Sequence, residues 1–120
     1  MHVGRLDEAE PFTTKDGSTI REVAGPASLP SQNQSLAEAT VFPGAETDAH
    51  YHVRSEEIYH FTGGAGRIKV GDELRDVREG DTVVLPPGTE HKLWNTGDVQ
   101  LTLLCCCAPP YSHDDTVITE

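Results

Sequence analysis

The sequence of 120 residues has no apolar stretch long enough to cross a membrane and no basic-then-apolar leader at its start. Its three cysteines are adjacent, Cys105 to Cys107, and neighbouring strand residues point to opposite faces. This run excludes a disulfide framework, and it lacks the spaced pairs of a structural zinc site. Buried free thiols favour a reducing compartment, so we expect a cytoplasmic protein.

Cations are scarce. The chain has 9 Lys and Arg against 20 Asp and Glu, for a formal net charge of -11. An acidic surface repels phosphate backbones and anionic lipid, so we expect no nucleic acid and no membrane partner. A sugar-phosphate substrate is also disfavoured, because no cluster of cations is available for its phosphate.

Sustained helical periodicity is absent as well, and no segment of ten or more residues shows it. Short runs typical of strands alternate instead with Gly, Pro and Asp turns. The main runs are TIREV (19–23), SLAEATVF (35–42), EIYHF (57–61), GRIKV (66–70), ELRDV (73–77), DTVVL (81–85), HKLWN (91–95) and VQLTLLCCC (99–107). This pattern predicts an all-β sandwich or barrel, and a jelly roll is one closed solution.

Two histidines lie one residue apart in the stretch HYHVRSEE, residues 50–57. If this stretch is a strand, His50 and His52 project from the same face. A turn at 53–55 could return a carboxylate to them, from either Glu56 or Glu57. Two imidazoles and a carboxylate suit a divalent transition metal, although an isolated His-x-His is more often a surface pair.

A third imidazole follows in GDTVVLPPGTEHKLWN, residues 80–95. The Pro-Pro-Gly turn ends one strand and redirects the chain, and His91 begins the next. Its side chain could then point into the same interior as the earlier pair. Together the two stretches predict a site with three nitrogen ligands and one oxygen ligand.

The spacing of these residues resembles the two motifs of the cupins, in particular small single-domain members described as quercetinase-like or mannose-6-phosphate-isomerase-like. The first motif matches Gly44, His50, His52, Glu57 and Gly64, and the second matches Gly80, Pro86, Gly88, His91 and Asn95. Every fixed position is filled, over residues 35–107.

The resemblance implies a double-stranded β-helix, or jelly-roll barrel, as a single domain over residues 1–120. Residues 1–34 would form an N-terminal strand or arm, and residues 108–120 a C-terminal tail. It implies metal ligation by His50, His52, Glu57 and His91. Glu57 is preferred to Glu56 because six residues separate it from Gly64, as the motif requires. One divalent metal per chain is expected, whether Fe, Mn, Ni, Co, Cu or Zn.

Cupin resemblance also implies a small-molecule metalloenzyme. An oxygen-dependent, dioxygenase-type reaction on an enol or phenolic substrate is the leading expectation. A non-redox isomerase, decarboxylase or lyase is the alternative, as is a cupin that only binds a small molecule or a metal. Small cupins pair through sheet edges and exchanged N-terminal strands, so a homodimer is expected.

Three further residues are candidates for substrate chemistry. Tyr59 and Phe61 share strand parity with Glu57, so they could line the pocket, with Tyr59 as a hydrogen-bond donor or acid. Ordinary core packing is the competing interpretation for both. Arg54 is close in sequence to the ligands and could bind an anionic group, although a solvated loop cation is the simpler reading. The segment PPYSHDDT, residues 109–116, could fold over the barrel mouth.

Overall fold

The computed structural model describes residues 1–120, which form eleven β-strands and two short 3-10 turns. The strands are β1 (Phe12–Thr13), β2 (Thr19–Ala24), β3 (Ser35–Val41), β4 (His50–His52), β5 (Glu56–Gly63), β6 (Ala65–Val70), β7 (Glu73–Arg78), β8 (Thr82–Leu85), β9 (His91–Asn95), β10 (Leu101–Ala108) and β11 (Thr116–Ile118). The 3-10 turns span Leu6–Glu8 and His113–Asp115. No helix in the chain has the length and apolar character that a membrane crossing requires.

The strands form two antiparallel sheets packed face to face. One sheet has six strands in the order β1-β2-β3-β10-β5-β8, and the other has five in the order β11-β4-β9-β6-β7. Apart from β1–β3 and the β6–β7 hairpin, successive strands lie in alternate sheets, which is the arrangement of a double-sheet jelly roll. The predicted all-β barrel is confirmed.

Alternation along the strands places one face of each sheet in the core. Along β5 the burial pattern alternates strictly between exposed and buried residues, so that Tyr59 and Phe61 face inward. On β10 the inward positions include Leu101 and Leu103. Because strand side chains have a period of two, a slip of one residue in either strand would turn these apolar side chains to the outer face. The predicted burial of Cys105 and Cys107 follows from the same parity.

Two motif-like turns depend on glycine. Gly64 has φ +83°, and a Cβ there would lie 2.5 Å from the carbonyl oxygen of Gln100. No larger residue fits that approach, so the first motif's last glycine joins β5 to β6 for steric reasons. Gly71, with φ +58°, allows the two-residue hairpin turn between β6 and β7, as the sequence predicted.

Segments at the two ends of the chain complete the sheets. The β1–β2 hairpin extends the six-stranded sheet by pairing β2 with β3 of the same chain. Strand β11 extends the other sheet by pairing with β4, the strand that carries two histidines. Strand β11 therefore lies directly beside two of the predicted metal ligands.

Candidate metal centre

Three buried imidazoles meet between the sheets. His50 and His52 project inward from β4, and His91 begins β9 directly opposite His50 in the register. The ring centroids of His50 and His91 are 4.2 Å apart, and that of His52 lies 5.3 and 5.5 Å from the other two. One nitrogen from each ring lies within 4.8 Å of the others. The structure therefore brings together all three predicted histidines.

Hydrogen bonds to the outer nitrogens orient the three rings. Nδ1 of His50 lies 2.6 Å from the carbonyl oxygen of Asp48, and Nδ1 of His91 lies 3.2 Å from that of Thr89. A carbonyl only accepts, so both Nδ1 atoms carry the proton and donate it. Each Nε2 atom is then left with a free lone pair that points into the site.

The third ring is held by a side chain. Nδ1 of His52 lies 3.0 Å from Oγ1 of Thr116, on β11. The Thr116 hydroxyl donates its own proton to the carbonyl oxygen of Ser112, at 2.9 Å. It must therefore accept the Nδ1 proton of His52, and Nε2 of this ring is also free to bind a cation.

Glu57 faces the free nitrogens. Its Oε1 lies 3.0 Å from Nε2 of His52 and 3.6 Å from Nε2 of His91. Lone pairs that face one another at these distances need a positive species between them, either a proton or a metal ion. Nε2 of His91 is buried and has no hydrogen-bond partner. An orphaned buried nitrogen beside a carboxylate fits a metal site well.

The two candidate carboxylates are separated by strand parity. Glu57 is 5% exposed and faces the histidines, whereas Glu56 lies on the outer face of β5 and is exposed. The other oxygen of Glu57, Oε2, accepts a hydrogen bond from the Cys107 thiol at 3.1 Å. Burial and the charge of Glu57 raise the pKa of Cys107, so the thiol keeps its proton and stays a donor.

The protonation of these groups follows from burial and from their neighbours. Burial favours the neutral form of Glu57, but its close approach to the imidazoles of His52 and His91 outweighs burial and lowers its pKa to about 2. Burial and the nearby His91 lower the pKa of His50. The site therefore holds an ionised carboxylate beside a neutral imidazole, and both are the forms that bind metals.

A cavity of about 50 Å³ opens onto the centre. His50, His52 and Glu57 line it, and its wall is mostly apolar, including Ile20 and Leu103. Neither Lys nor Arg is among the lining residues. The cavity is small beside the roughly 300–1,000 Å³ of sites for drug-sized ligands, so a ligand there is limited to a few heavy atoms or a single ring.

Several residues of the cavity lining lie outside the motifs, and two of them, Asp16 and Tyr111, come close to the histidines. Asp16 was not predicted, whereas Tyr111 belongs to the segment 109–116. Asp16, in the β1–β2 turn, has its Oδ2 atom 3.6 Å from Nε2 of His50. Tyr111 places its ring centroid 5.9 Å from that of His52, and its hydroxyl hydrogen-bonds Oγ1 of Thr14 at 2.8 Å. The segment 109–116 thus does fold over the barrel mouth. In the sequence, Asp16 belongs to an Asp-Gly turn and Tyr111 follows two prolines. Neither pattern indicates that the residue lies near the histidines.

The three candidates for substrate chemistry fall in different places. Tyr59 is 4% exposed and lines the cavity, and its ring centroid is 5.8 Å from that of His91. Phe61 is completely buried and belongs to the core cluster, not to the cavity wall. The Arg54 side chain is 76% exposed and faces Asp115, with 3.8 Å between Nε and Oδ1. It is not among the residues that line the cavity, and its predicted role in binding an anionic group stays a prediction.

Comparison with known proteins assigns the chain to a family. A profile described as "Cupin domain" matches residues 37–107, more than half of the chain. The chain belongs to the cupin family. An uncharacterized protein of Methanocaldococcus jannaschii is 48% identical over 114 residues, which are 95% of this chain and 91% of the relative. Protein SchB of Streptomyces halstedii is 29% identical over 115 residues, covering 92% of this cupin and 83% of SchB.

Solved structures share the fold. The oxalate decarboxylase of Lactobacillus farciminis, in a formate complex, superposes with a TM-score of 0.81 at 22% identity over 95% of this cupin. This cupin spans only 34% of that chain. Pac13 of Streptomyces, described as a nucleoside dehydratase, gives a TM-score of 0.80 at 18% identity, covering 100% of this cupin and 92% of Pac13. At these identities the likeness is one of fold alone.

Proposed function

We propose that this cupin is a metalloenzyme that binds one divalent transition metal through His50, His52, His91 and Glu57 and transforms a small organic molecule beside it. The observation that carries the proposal is the set of three buried imidazoles, each oriented by a hydrogen bond at Nδ1, with the ionised Glu57 beside the Nε2 atoms of two of them and no Lys or Arg in the cavity lining. A cavity adjoins this set, as turnover requires and as a purely structural ion would not.

The chain's own residues divide the work. When bound, the ion would supply Lewis-acid polarisation and, if it is redox-active, oxygen chemistry. Cys107 fixes the orientation of the Glu57 carboxylate through Oε2. Tyr59 lines the same cavity, and burial raises its pKa, so its hydroxyl stays protonated and can donate a hydrogen bond or a proton to a substrate oxygen.

An oxygen-dependent, dioxygenase-type reaction on a small enol or phenol is the specific proposal. Several features support it. The apolar wall suits a carbon skeleton, and the absence of Lys and Arg in the lining disfavours a substrate with several negative charges.

A non-redox reaction is the second candidate. Two proteins of similar fold are named as an oxalate decarboxylase and a nucleoside dehydratase, and neither name implies net oxidation. An ion acting only as a Lewis acid, with Tyr59 as proton donor, would serve an isomerase, decarboxylase or lyase equally well. The ligand set alone does not select the metal, so the ion itself discriminates between the two candidates.

Metal content and oxygen uptake test the proposal. Untagged protein, purified without chelator and without a nickel column, is analysed by plasma mass spectrometry and then screened with small enols and phenols in an oxygen electrode. About one iron per chain with substrate-dependent oxygen uptake is the expected result. Zinc, manganese or nickel without oxygen uptake would favour the second candidate. No metal after reconstitution would refute the metalloenzyme itself.

Two wider expectations from the sequence remain proposals. We propose that the protein is a homodimer and that it works in the cytoplasm. In the structure β2 completes its sheet within its own chain, so a dimer need not exchange N-terminal strands. Solution scattering at several concentrations measures the oligomeric state, and a particle of 13.0 kDa would contradict the dimer.

A further inference from the structure

The cavity carries a second buried carboxylate that the cupin motifs do not contain. Asp16 is 8% exposed and lies in the turn between β1 and β2. Gly17, with φ +92°, allows the turn, and the backbone N–H of Asp48 donates to the carbonyl oxygen of Asp16 at 2.8 Å. The turn is therefore anchored to the segment that leads directly into β4 and its histidines.

The side chain of Asp16 is oriented as firmly as its backbone. Oδ1 accepts hydrogen bonds from the backbone N–H of Ser18 at 2.9 Å and from the Ser18 hydroxyl at 2.7 Å. Oδ2 is thereby turned toward Nε2 of His50, at 3.6 Å. Because two donors hold Oδ1, the orientation of the whole carboxylate is fixed by the surrounding chain.

Asp16 and Glu57 approach different histidines. Glu57 contacts His52 and His91, whereas Asp16 contacts His50. Neither carboxylate is within 4.8 Å of all three ring nitrogens. Both line the cavity, together with Glu22, and no cation lines it to balance them. A divalent ion at the histidines would be neutralised by these two carboxylates, so the centre would carry no net positive charge for an anion.

We propose that Asp16 sets the substrate specificity of the centre: it disfavours anionic ligands and accepts a hydrogen bond from the O–H or N–H of an uncharged one. The inference rests on the proposed function, because it assumes an ion at the three histidines. It narrows that function to a substrate that arrives neutral and carries a proton on the group next to the metal, as an enol or a phenol does.

Ligand binding to metal-loaded protein tests the inference without an activity assay. Wild-type protein is loaded with Co²⁺, its metal content is measured, and its visible spectrum is followed during titration with formate or with imidazole. Formate is a small anion without a proton to donate. Imidazole, used at a pH well above its own pKa, is neutral, with one nitrogen for the metal and an N–H for Asp16. Wild-type protein should bind imidazole more tightly than formate, and the reverse order would overturn the proposal.

Removing the charge should reverse the preference. Asp16→Asn should tighten formate binding by about tenfold or more, because a full negative charge beside the ligand is lost in a poorly solvated cavity. It should not tighten imidazole binding. Glu22→Gln is the matched control, because it removes a charge from the same cavity lining while Asp16 keeps its place beside His50, and it should change formate binding much less.

The possible outcomes distinguish failure of the proposed metal site from failure of the role of Asp16. Wild-type protein that takes up no metal would refute the proposed function itself. Asp16→Asn protein that holds one Co²⁺ per chain but binds formate no more tightly than wild type would refute only the role of Asp16. Loss of the metal in this variant would also overturn the inference, since Asp16 would then hold the ion and not select the ligand. Asp16→Glu, which keeps the charge, should retain weak formate binding.

Discussion

Replacing Thr116 with valine should weaken metal binding while leaving the barrel folded. Thr116 is 3% exposed, and its hydroxyl links Nδ1 of His52, at 3.0 Å, to the carbonyl oxygen of Ser112, at 2.9 Å. Valine has nearly the same shape and the same preference for strand backbone, so packing against β4 is preserved. What is lost is the acceptor that fixes the tautomer and the orientation of one metal-binding ring.

The size of the effect follows from these contacts. Loss of an outer hydrogen-bond partner of a metal ligand typically lowers metal affinity by about 10–100-fold, or roughly 1.4–2.8 kcal/mol. In the metal-free protein the N–H of His52 is left buried without a partner, which costs about 1–3 kcal/mol of the free energy of unfolding. Both effects have the same origin, but they are measured separately.

Competition for Zn²⁺ with a chromophoric chelator measures the affinity, and urea denaturation of metal-free protein measures the stability. Thr116→Ser keeps the hydroxyl and should bind Zn²⁺ within a few-fold of wild type. Thr119→Val removes a hydroxyl from the same end of the chain, where it donates to the carbonyl oxygen of Ala49 at 3.0 Å. It should lower stability without lowering affinity. A folded Thr116→Val protein with wild-type affinity would refute the argument.

Three other predictions use the same measurements. His52→Ala should abolish tight metal binding, while His60→Ala, on the outer face of β5, should not. Full metal occupancy in the His52→Ala protein would show that the ligand assignment is wrong. Glu57→Gln should weaken Zn²⁺ binding at least about tenfold, whereas Glu56→Gln, which faces solvent, should not change it. The metal-free protein should lose stability in urea as the pH falls below 6.5, because burial lowers the pKa of His50 and the unfolded state then binds more protons. A flat profile between pH 7.5 and 5 would contradict the burial of a neutral His50.

Local signals in the sequence predicted the strands well. The run 91–95 has the same bounds as β9, and most other runs differ from their strands by one or two residues. Period-two alternation and Gly or Pro at the turns act over a few residues, so they can be read without knowing the fold. The motif spacing likewise identified the three histidines that the structure brings together. For His50 and His52 the reason is local, because residues two apart on a strand project from the same face.

Contacts between distant segments could not be predicted. Asp16 reaches His50, and Thr116 reaches His52, only because the β1–β2 turn and β11 lie beside β4 in the folded chain. Nothing near either residue in the sequence indicates that neighbour. Proximity in sequence does not place Arg54 in the cavity lining: its side chain is 76% exposed, and Asp115 accepts its backbone N–H at 3.0 Å.

The dispersal of the centre along the chain has a consequence for how the protein folds. Its parts come from residues 16, 50–57, 91, 107 and 116, so almost the whole chain must be closed into long loops before the three rings meet. Long-range closures of this kind make a β-barrel slow to form, and the complete centre cannot assemble before they have taken place. The ion would therefore bind only after the barrel has formed, and it would lower the rate of unfolding far more than it raises the rate of folding.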